Sequence, residues 1–284
     1  MSEPDFYVNK SLSRRAFDNA AEKYDEAAIL QREVANRMLE RLDYMLIEPQ
    51  GILDAGAGTG YCTLDVALRY PNVQIVAMDI ASSMLQQTRS KAEANHNISY
   101  IASDVEQIAL ADNSVDLIVS SLTVQWCNDY LKAFAEFKRI LKPDGCLLFT
   151  SFGPDALKEL RHCWYKVDND QHVNSFIDMH HIGDALLQAG FKDPVIDTET
   201  IMVTYKDVYQ IMHDLKIIGA HNVLNGRRHS LTGKKRLQAM VAEYEKFRHN
   251  GVLPMSYEIV YGHGWLAGAD KINVNFETFD KIQN

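Results

Sequence analysis

Along the chain, short apolar runs bounded by glycine, proline or acidic residues alternate with stretches whose apolar positions follow a helical period. The runs are "GILDAG" (51–56), "VQIVAMDI" (73–80), "ISYIASD" (98–104), "VDLIVSS" (115–121) and "GCLLFTSF" (145–152). Between them Tyr61–Tyr70, Ser82–Ala94 and Tyr130–Leu141 have the spacing of amphipathic helices, the last stopped by Lys142-Pro143-Asp144-Gly145. Two more helices, roughly Leu12–Lys23 and Glu26–Met45, are predicted ahead of the first run. Such alternation implies right-handed crossovers and a parallel sheet covered on both faces, so the expected fold is α/β.

After the fifth run the pattern changes. A helix-rich piece, 154–190, leads to a strand candidate "PVIDTETIMVTY" (194–205), then a helical segment, then "MSYEIVYGHGW" (255–265). About fifty residues between two closing strands is long for an α/β connection and reads as a functional insertion. The expected organisation is therefore N-terminal helices over 1–48, an α/β core over 49–205, a helical lid over 206–252, and a last core strand with a polar, loosely held tail over 253–284.

Composition narrows the function classes. The 284 residues are 46% hydrophobic and 24% charged, with net charge −9, which excludes a nucleic-acid binder that presents a basic face throughout. Charge is uneven: between Lys206 and His249 nine basic residues meet four acidic ones, so the lid is +5 and the rest −14. No run approaches the roughly 20 apolar residues of a membrane helix, and the first residues lack the apolar core of a signal peptide. Cys62, Cys127, Cys146 and Cys163 are scattered without a CxxC pair, which predicts a reducing, cytoplasmic setting. Histidine and acid spacings suggest neither a zinc helix nor a Ser-His-Asp arrangement, so no metal is expected.

The first run continues as "ILDAGAGTGYCTLDVA" (52–67). Strand, glycine turn and helix N-terminus create a concavity at the carboxyl end of a sheet. A dinucleotide fingerprint needs a small residue where Tyr61 stands, and the third glycine falls one place early, at Gly60. The motif Asp54-Ala-Gly56-Ala-Gly58-Thr-Gly60 resembles instead the first motif of class I S-adenosylmethionine (SAM) methyltransferases. Asp79, followed by Ile80 at the end of the second run, is placed to accept both hydroxyls of a ribose, because a carboxylate offers two oxygens to a vicinal diol. In that family the position of Asp104 accepts from the adenine amino group, with the backbone of Val105 nearby. The bland readings are that Asp54 caps the following helix and that Asp79 and Asp104 are solvated turn residues. Trp126 is a candidate wall of the cofactor cavity or simply core.

Outside the strands, "AFDNAAEKYDEAAILQ" (16–31), "QWCND" (125–129), "HVNSFIDMHHIGDALLQAGF" (172–191), "DLKIIGAHNVLNGRR" (214–228), "LTGKKRL" (231–237) and "LPMSYEIVYGHGW" (253–265) together resemble the malonyl-acyl-carrier-protein O-methyltransferase family of biotin synthesis. The resemblance implies SAM as cofactor, methylation of the free carboxylate of a malonyl thioester on acyl carrier protein, and N-terminal helices folding over the cofactor. A carboxylate is already anionic at neutral pH and needs aiming rather than a general base. Arg227, a planar fork, ranks ahead of Lys216 for that task; Tyr24 is a hydroxyl donor candidate and Gln31 a cofactor neighbour. Each has a bland alternative, a solvated helix face for the cations and packing for the tyrosine. Acyl carrier proteins are strongly acidic, so Arg228, Lys234, Lys235, Arg236 and Arg248 form a candidate docking surface. Similar outer segments occur in a mitochondrial complex I assembly factor described as a protein-arginine hydroxylase, which makes hydroxylation, or non-catalytic assembly on the same fold, the alternative.

Overall fold

A computed structural model describes residues 7–92, 97–220, 222–227 and 233–268. Seven strands form one sheet in the order β3-β2-β1-β4-β5-β7-β6. They are β1 (Gly51–Ala55), β2 (Gln74–Asp79), β3 (Ile98–Ala102), β4 (Val115–Ser120), β5 (Leu141–Phe152), β6 (Lys192–Tyr205) and β7 (Leu253–Trp265). β1 to β5 pair in parallel, whereas β7 runs antiparallel between β5 and β6, so β6 points the same way as β5.

Side chains alternate along each strand, and here both faces are apolar because helices cover both. Ile52, Leu117, Val119 and Leu148 pack with α3 (Ile29–Glu40), α4 (Tyr61–Arg69), α7 (Lys158–Val167) and α10 (Lys234–Glu245). Their neighbours Leu53, Ile118, Leu147 and Phe149 pack with α6 (Tyr130–Ile140) and α8 (Met179–Ala189). The remaining helices are α1 (Lys10–Ala20), α2 (Tyr24–Ala27), α5 (Ser82–Lys91) and α9 (Val208–Ile217). None of the helices among the described residues is long and apolar enough to cross a membrane. All four cysteines are buried and unpaired by disulfides.

Three boundaries differ from expectation. The first helix starts at Lys10 because the Asn9 side chain accepts from Leu12 N–H at 3.0 Å. The expected Glu26–Met45 helix is broken at Ala28 (φ −80°, ψ 38°) into α2 and α3, and Arg32 reaches back to the Asp25 carbonyl at 2.8 Å. The fifth strand begins at Leu141 rather than 145. Pro143 is accommodated there by a register shift opposite Val115–Leu117, with Asp144 at φ 63°. The tail beyond Gly268 and lid residue Arg228 lie outside the described residues.

Because β6 runs with the parallel strands, the lid leaves it at the carboxyl edge of the sheet and returns into β7 at the same edge, where Tyr205 and Leu253 are ladder partners. The N-terminal segment joins the lid: Asn9 N–H donates to the Val223 carbonyl and Asn225 N–H to that of Tyr7, both at 2.9 Å. Asn128 clasps the same segment, accepting from Val8 N–H at 2.7 Å and donating to its carbonyl at 3.1 Å.

The β5–β7 ladder has no room to spare: a Cβ on Gly262 would stand 2.4 Å from the ring of its partner Phe149. Gly262→Ala is expected to lower stability by about 1–3 kcal/mol through overpacking. Gly233→Ala, with open space around the added methyl, should change it by less than about 0.5 kcal/mol. Urea unfolding of both variants checks this.

Candidate active site

The glycines of the first motif each answer a different constraint. All three adopt positive φ, 82° at Gly56, 54° at Gly58 and 92° at Gly60. A Cβ on Gly56 would lie 1.9 Å from Thr123 Oγ1, and one on Gly60 would lie 2.5 Å from Thr88 Cγ2. One on Gly58 would meet nothing within 4 Å, so this residue leaves empty space on the cavity wall. The loop is tied down by Gly56 and Ala57 N–H, which both donate to the Met78 carbonyl at 2.7 and 2.8 Å.

Asp79 takes two backbone donors, Gly58 N–H on Oδ2 at 2.9 Å and Ala81 N–H on Oδ1 at 2.8 Å. Burial raises its carboxyl to about 6, the backbone donors opposing the shift. Asp104 Oδ1 accepts from Glu106 N–H and from Lys10 Nζ, each at 3.0 Å. Gly56, Gly58, Asp79, Ile80, Asp104 and Val105 line one cavity. Tyr24 and Gln31, brought in by α2 and α3, line it too, as does Trp126, whose ring meets Phe17 edge-on at 5.2 Å.

Asp54 and Gly60 stand behind that wall instead of in it. Asp54 is 1% exposed and accepts from the Thr63 hydroxyl at 2.5 Å, which fastens the start of α4. Burial, reinforced by the Asp79 charge, raises its carboxyl to about 7. Gly60 is the left-handed cap of the same helix. Both shape the loop from below.

These residues suit the expected cofactor. The wall at Gly58 is free, Asp79 retains lone pairs for a diol, and the Gln31 and Gln125 Oε1 atoms are buried without a hydrogen-bond partner. Both glutamines line the cavity, and unpaired acceptors fit a ligand that carries an ammonium and a sulfonium.

A second chamber opens off the first, sharing Gln31, Trp126, Phe152, Ile218 and Ala220 with it. Lys216 lines this chamber. Arg227 lines neither; it lies in an outer cleft between α1 and α9 and donates to the Leu224 carbonyl at 3.2 Å. Lys216 lines both this cleft and the second chamber, whereas Arg227 reaches only the cleft. Tyr24 is a third acceptor-side candidate on the cofactor wall. Burial, then the carboxylates of Asp79 and Asp25, push its hydroxyl well above the ordinary range, so it stays protonated.

Sequence reasoning missed Lys10, whose ammonium pairs with Asp104 and Glu106 at the cavity edge. A helix started at Lys10 by the Asn9 cap was the available signal. It also missed that Asp168, Asp170 and His172 bring potential ligand atoms within 4.8 Å of one another. Arg236 already stands there, its Nη1 3.3 Å from Oδ2 of both aspartates, and supplies a counter-charge.

Residues 53–149 match the family of methyltransferase domains. The chain is 47% identical over 267 residues to the malonyl-[acyl-carrier protein] O-methyltransferase of Gallionella capsiferriformans, covering 92% of each. Among solved structures, the YcgJ protein of Bacillus subtilis is similar with TM-score 0.57 and 15% identity, over 81% of this chain and 97% of that one. Haemonchus contortus phosphoethanolamine N-methyltransferase 2 in complex with S-adenosyl-L-methionine gives 0.54 and 16%, over 88% and 57%. At these identities the solved structures speak to the fold, which is that of class I SAM methyltransferases.

Asp79 generates a prediction with a definite sign. Its carboxyl ionises above about 6, and only the ionised form offers all its lone pairs to a ribose. Affinity for S-adenosylhomocysteine, measured by calorimetry, is expected to weaken as pH falls through that value. Asp79→Asn should cost about tenfold or more at neutral pH and flatten this pH dependence.

Proposed function

The chain belongs to the malonyl-[acyl-carrier protein] O-methyltransferase family, and from that premise we propose that it esterifies the free carboxylate of a malonyl thioester carried by acyl carrier protein. It is a SAM-dependent methyltransferase, and the relatives' shared name does not favour the hydroxylase or assembly-factor alternatives. The observation that carries the finer reading is the second chamber, which adjoins the cofactor cavity and has a lysine in its wall.

SAM supplies an electrophilic methyl group on a sulfonium. Asp79 would hold the ribose hydroxyls and Asp104 with Val105 the adenine edge, and the unpaired oxygens of Gln31 and Gln125 would accept from the cationic end. No residue has to remove a proton, since the acceptor carboxylate is ionised at neutral pH and is itself the nucleophile. The chain's task is to aim that carboxylate and exclude water, which raises its reactivity. Lys216 provides the charge and Tyr24 a protonated hydroxyl; Phe17, Trp126 and Phe152 provide apolar walls. Methylation abolishes the charge that Lys216 holds, so the neutral ester is released more readily than the acid.

The candidate docking surface narrows. Arg248 is committed to Glu245 and to the carbonyls of Lys206 and Gly251, and Arg236 to Asp168 and Asp170. Lys234 and Lys235 are exposed in the first turn of α10, where the helix dipole disfavours a cation. That placement costs helix stability and suits an acidic partner.

Incubation with labelled SAM and malonyl-acyl carrier protein should give a carrier heavier by one methylene unit, detected by mass spectrometry. If malonyl-carrier protein and malonyl-CoA both stay unmodified, the proposal fails. Reversing Lys234 and Lys235 to Glu should raise KM for the carrier-bound substrate by about three- to tenfold and leave KM for malonyl-CoA unchanged; equal effects on both would remove these lysines from the docking surface.

A further inference from the structure

Lys10 stands where a lysine gains nothing from its own helix. It is the first residue of α1, directly after the Asn9 cap, and at that end the helix dipole disfavours a cation. Half-buried at the cavity edge, it also gives up hydration. Burial works against the ammonium, but the negative groups around it, Glu106 and Asp104 among them, outweigh burial and leave its pKa above the ordinary lysine value. The charge persists because two acids share it: Nζ lies 3.0 Å from Asp104 Oδ1 and also pairs with Glu106 Oε2. One ammonium between two carboxylates has no charge left over for an anionic ligand.

The two acids use their oxygens differently. Glu106 is buried, and its Oε1 accepts from Asn128 and Asp129 N–H at 3.2 and 2.8 Å, which fastens the turn that brings Gln125 and Trp126 to the cavity. Asp104 Oδ1 takes two donors, Lys10 Nζ and Glu106 N–H, each at 3.0 Å. Gln107 N–H closes the turn on the Asp104 carbonyl at 2.9 Å. Oδ2 has no donor among the described residues, and Asp104 lines the cavity between Ser103 and Val105. A carboxylate with both bonds on one oxygen cannot rotate without breaking them, so its second oxygen is set as an acceptor before a ligand arrives. Without the ammonium, Asp104 and Glu106 would be left as two like charges around an emptied position.

We propose that Lys10 is the positioning residue for adenine recognition: by holding Oδ1 of Asp104 it leaves Oδ2 to the exocyclic amino group of the cofactor, so that the site distinguishes adenine from other purines. Lys10 acts through Asp104 and needs no contact with the ligand. An amino group donates to a carboxylate, whereas the carbonyl that hypoxanthine carries at the same ring position can only accept. Lys10 also belongs to the N-terminal segment tied to the lid through Asn9 N–H and the Val223 carbonyl. The cover over the cavity thus supplies the residue that aims the base-reading acid. This role rests on the reading of Asp104 as the adenine acceptor and is independent of which carboxylate receives the methyl group.

The test compares, by calorimetry, binding of S-adenosylhomocysteine with that of its hypoxanthine counterpart, S-inosylhomocysteine. The wild-type enzyme is expected to prefer the adenine ligand about a hundredfold or more. Lys10→Met, which keeps the aliphatic stem, should weaken the adenine ligand about tenfold or more and leave the hypoxanthine ligand within about twofold. Lys10→Arg, which keeps a charge able to bond both acids, should recover most of the preference. Equal loss of both ligands in Lys10→Met would mean that the lysine only holds the cover in place, and no loss would mean that Asp104 is aimed without it. Either result overturns the role of Lys10, while the mass assay on malonyl-carrier protein decides the proposed function separately. A wild-type enzyme without preference, or an Asp104→Asn variant that keeps the wild-type preference, overturns the adenine reading and the role of Lys10 with it.

Discussion

One carboxylate ties together the carboxyl edge of the sheet. Asp79 ends β2, yet it accepts from Gly58 in the loop after β1 and from Ala81 at the start of α5. Two strand-to-helix turns are thus pinned to one buried acid, and the backbone of each is pinned before any ligand arrives. The cost is visible in the raised carboxyl, and Asp54 directly beneath shows the same effect. Two buried acids whose carboxyls are both raised by burial stand close together under the glycine loop. The pairing makes sense where a ligand with hydroxyls and positive charge completes the set.

The rest of the site is closed by pieces far apart in the chain. α1 brings Lys10 and Phe17, the broken α2–α3 pair brings Tyr24 and Gln31, and the lid brings Lys216, Ile218 and Ala220. What holds these pieces together is mostly backbone: the bridge between Val8 and Leu224 and the clasp of Asn128. Small apolar clusters reinforce this bonding, Val8 with Val223 and Leu224, and Ala20 and Ala21 with Met84.

Much of this is legible in the chain. Short continuous apolar runs located the five parallel strands, and acids at the ends of β2 and β3 located Asp79 and Asp104, because strand ends converge on one edge whatever the details of packing. Residues whose role depends on a neighbour distant in sequence were not legible. Lys10 is an example, placed at the cavity edge by Asp104 and Glu106, more than ninety residues away. Arg227 lies in the outer cleft and lines neither chamber, which spacing alone does not reveal. The break at Ala28 carries no glycine or proline, so nothing local announces it. The family resemblance supplied the acceptor, and the resemblance lay in the segments outside the strands.

The insertion of β7 between β5 and β6 has a consequence for how such a chain diversifies. Tyr205 and Leu253 face each other in the ladder, so everything between them departs from and returns to a single rung. The sheet holds the two ends of that excursion together, and the entropy of closing a loop grows only slowly with its length. A change in the length of the excursion therefore does not separate its two ends. Its anchor on the sheet is α10, whose Met240 and Tyr244 are fully buried in the main core, so the stretches free to vary are those outside that helix.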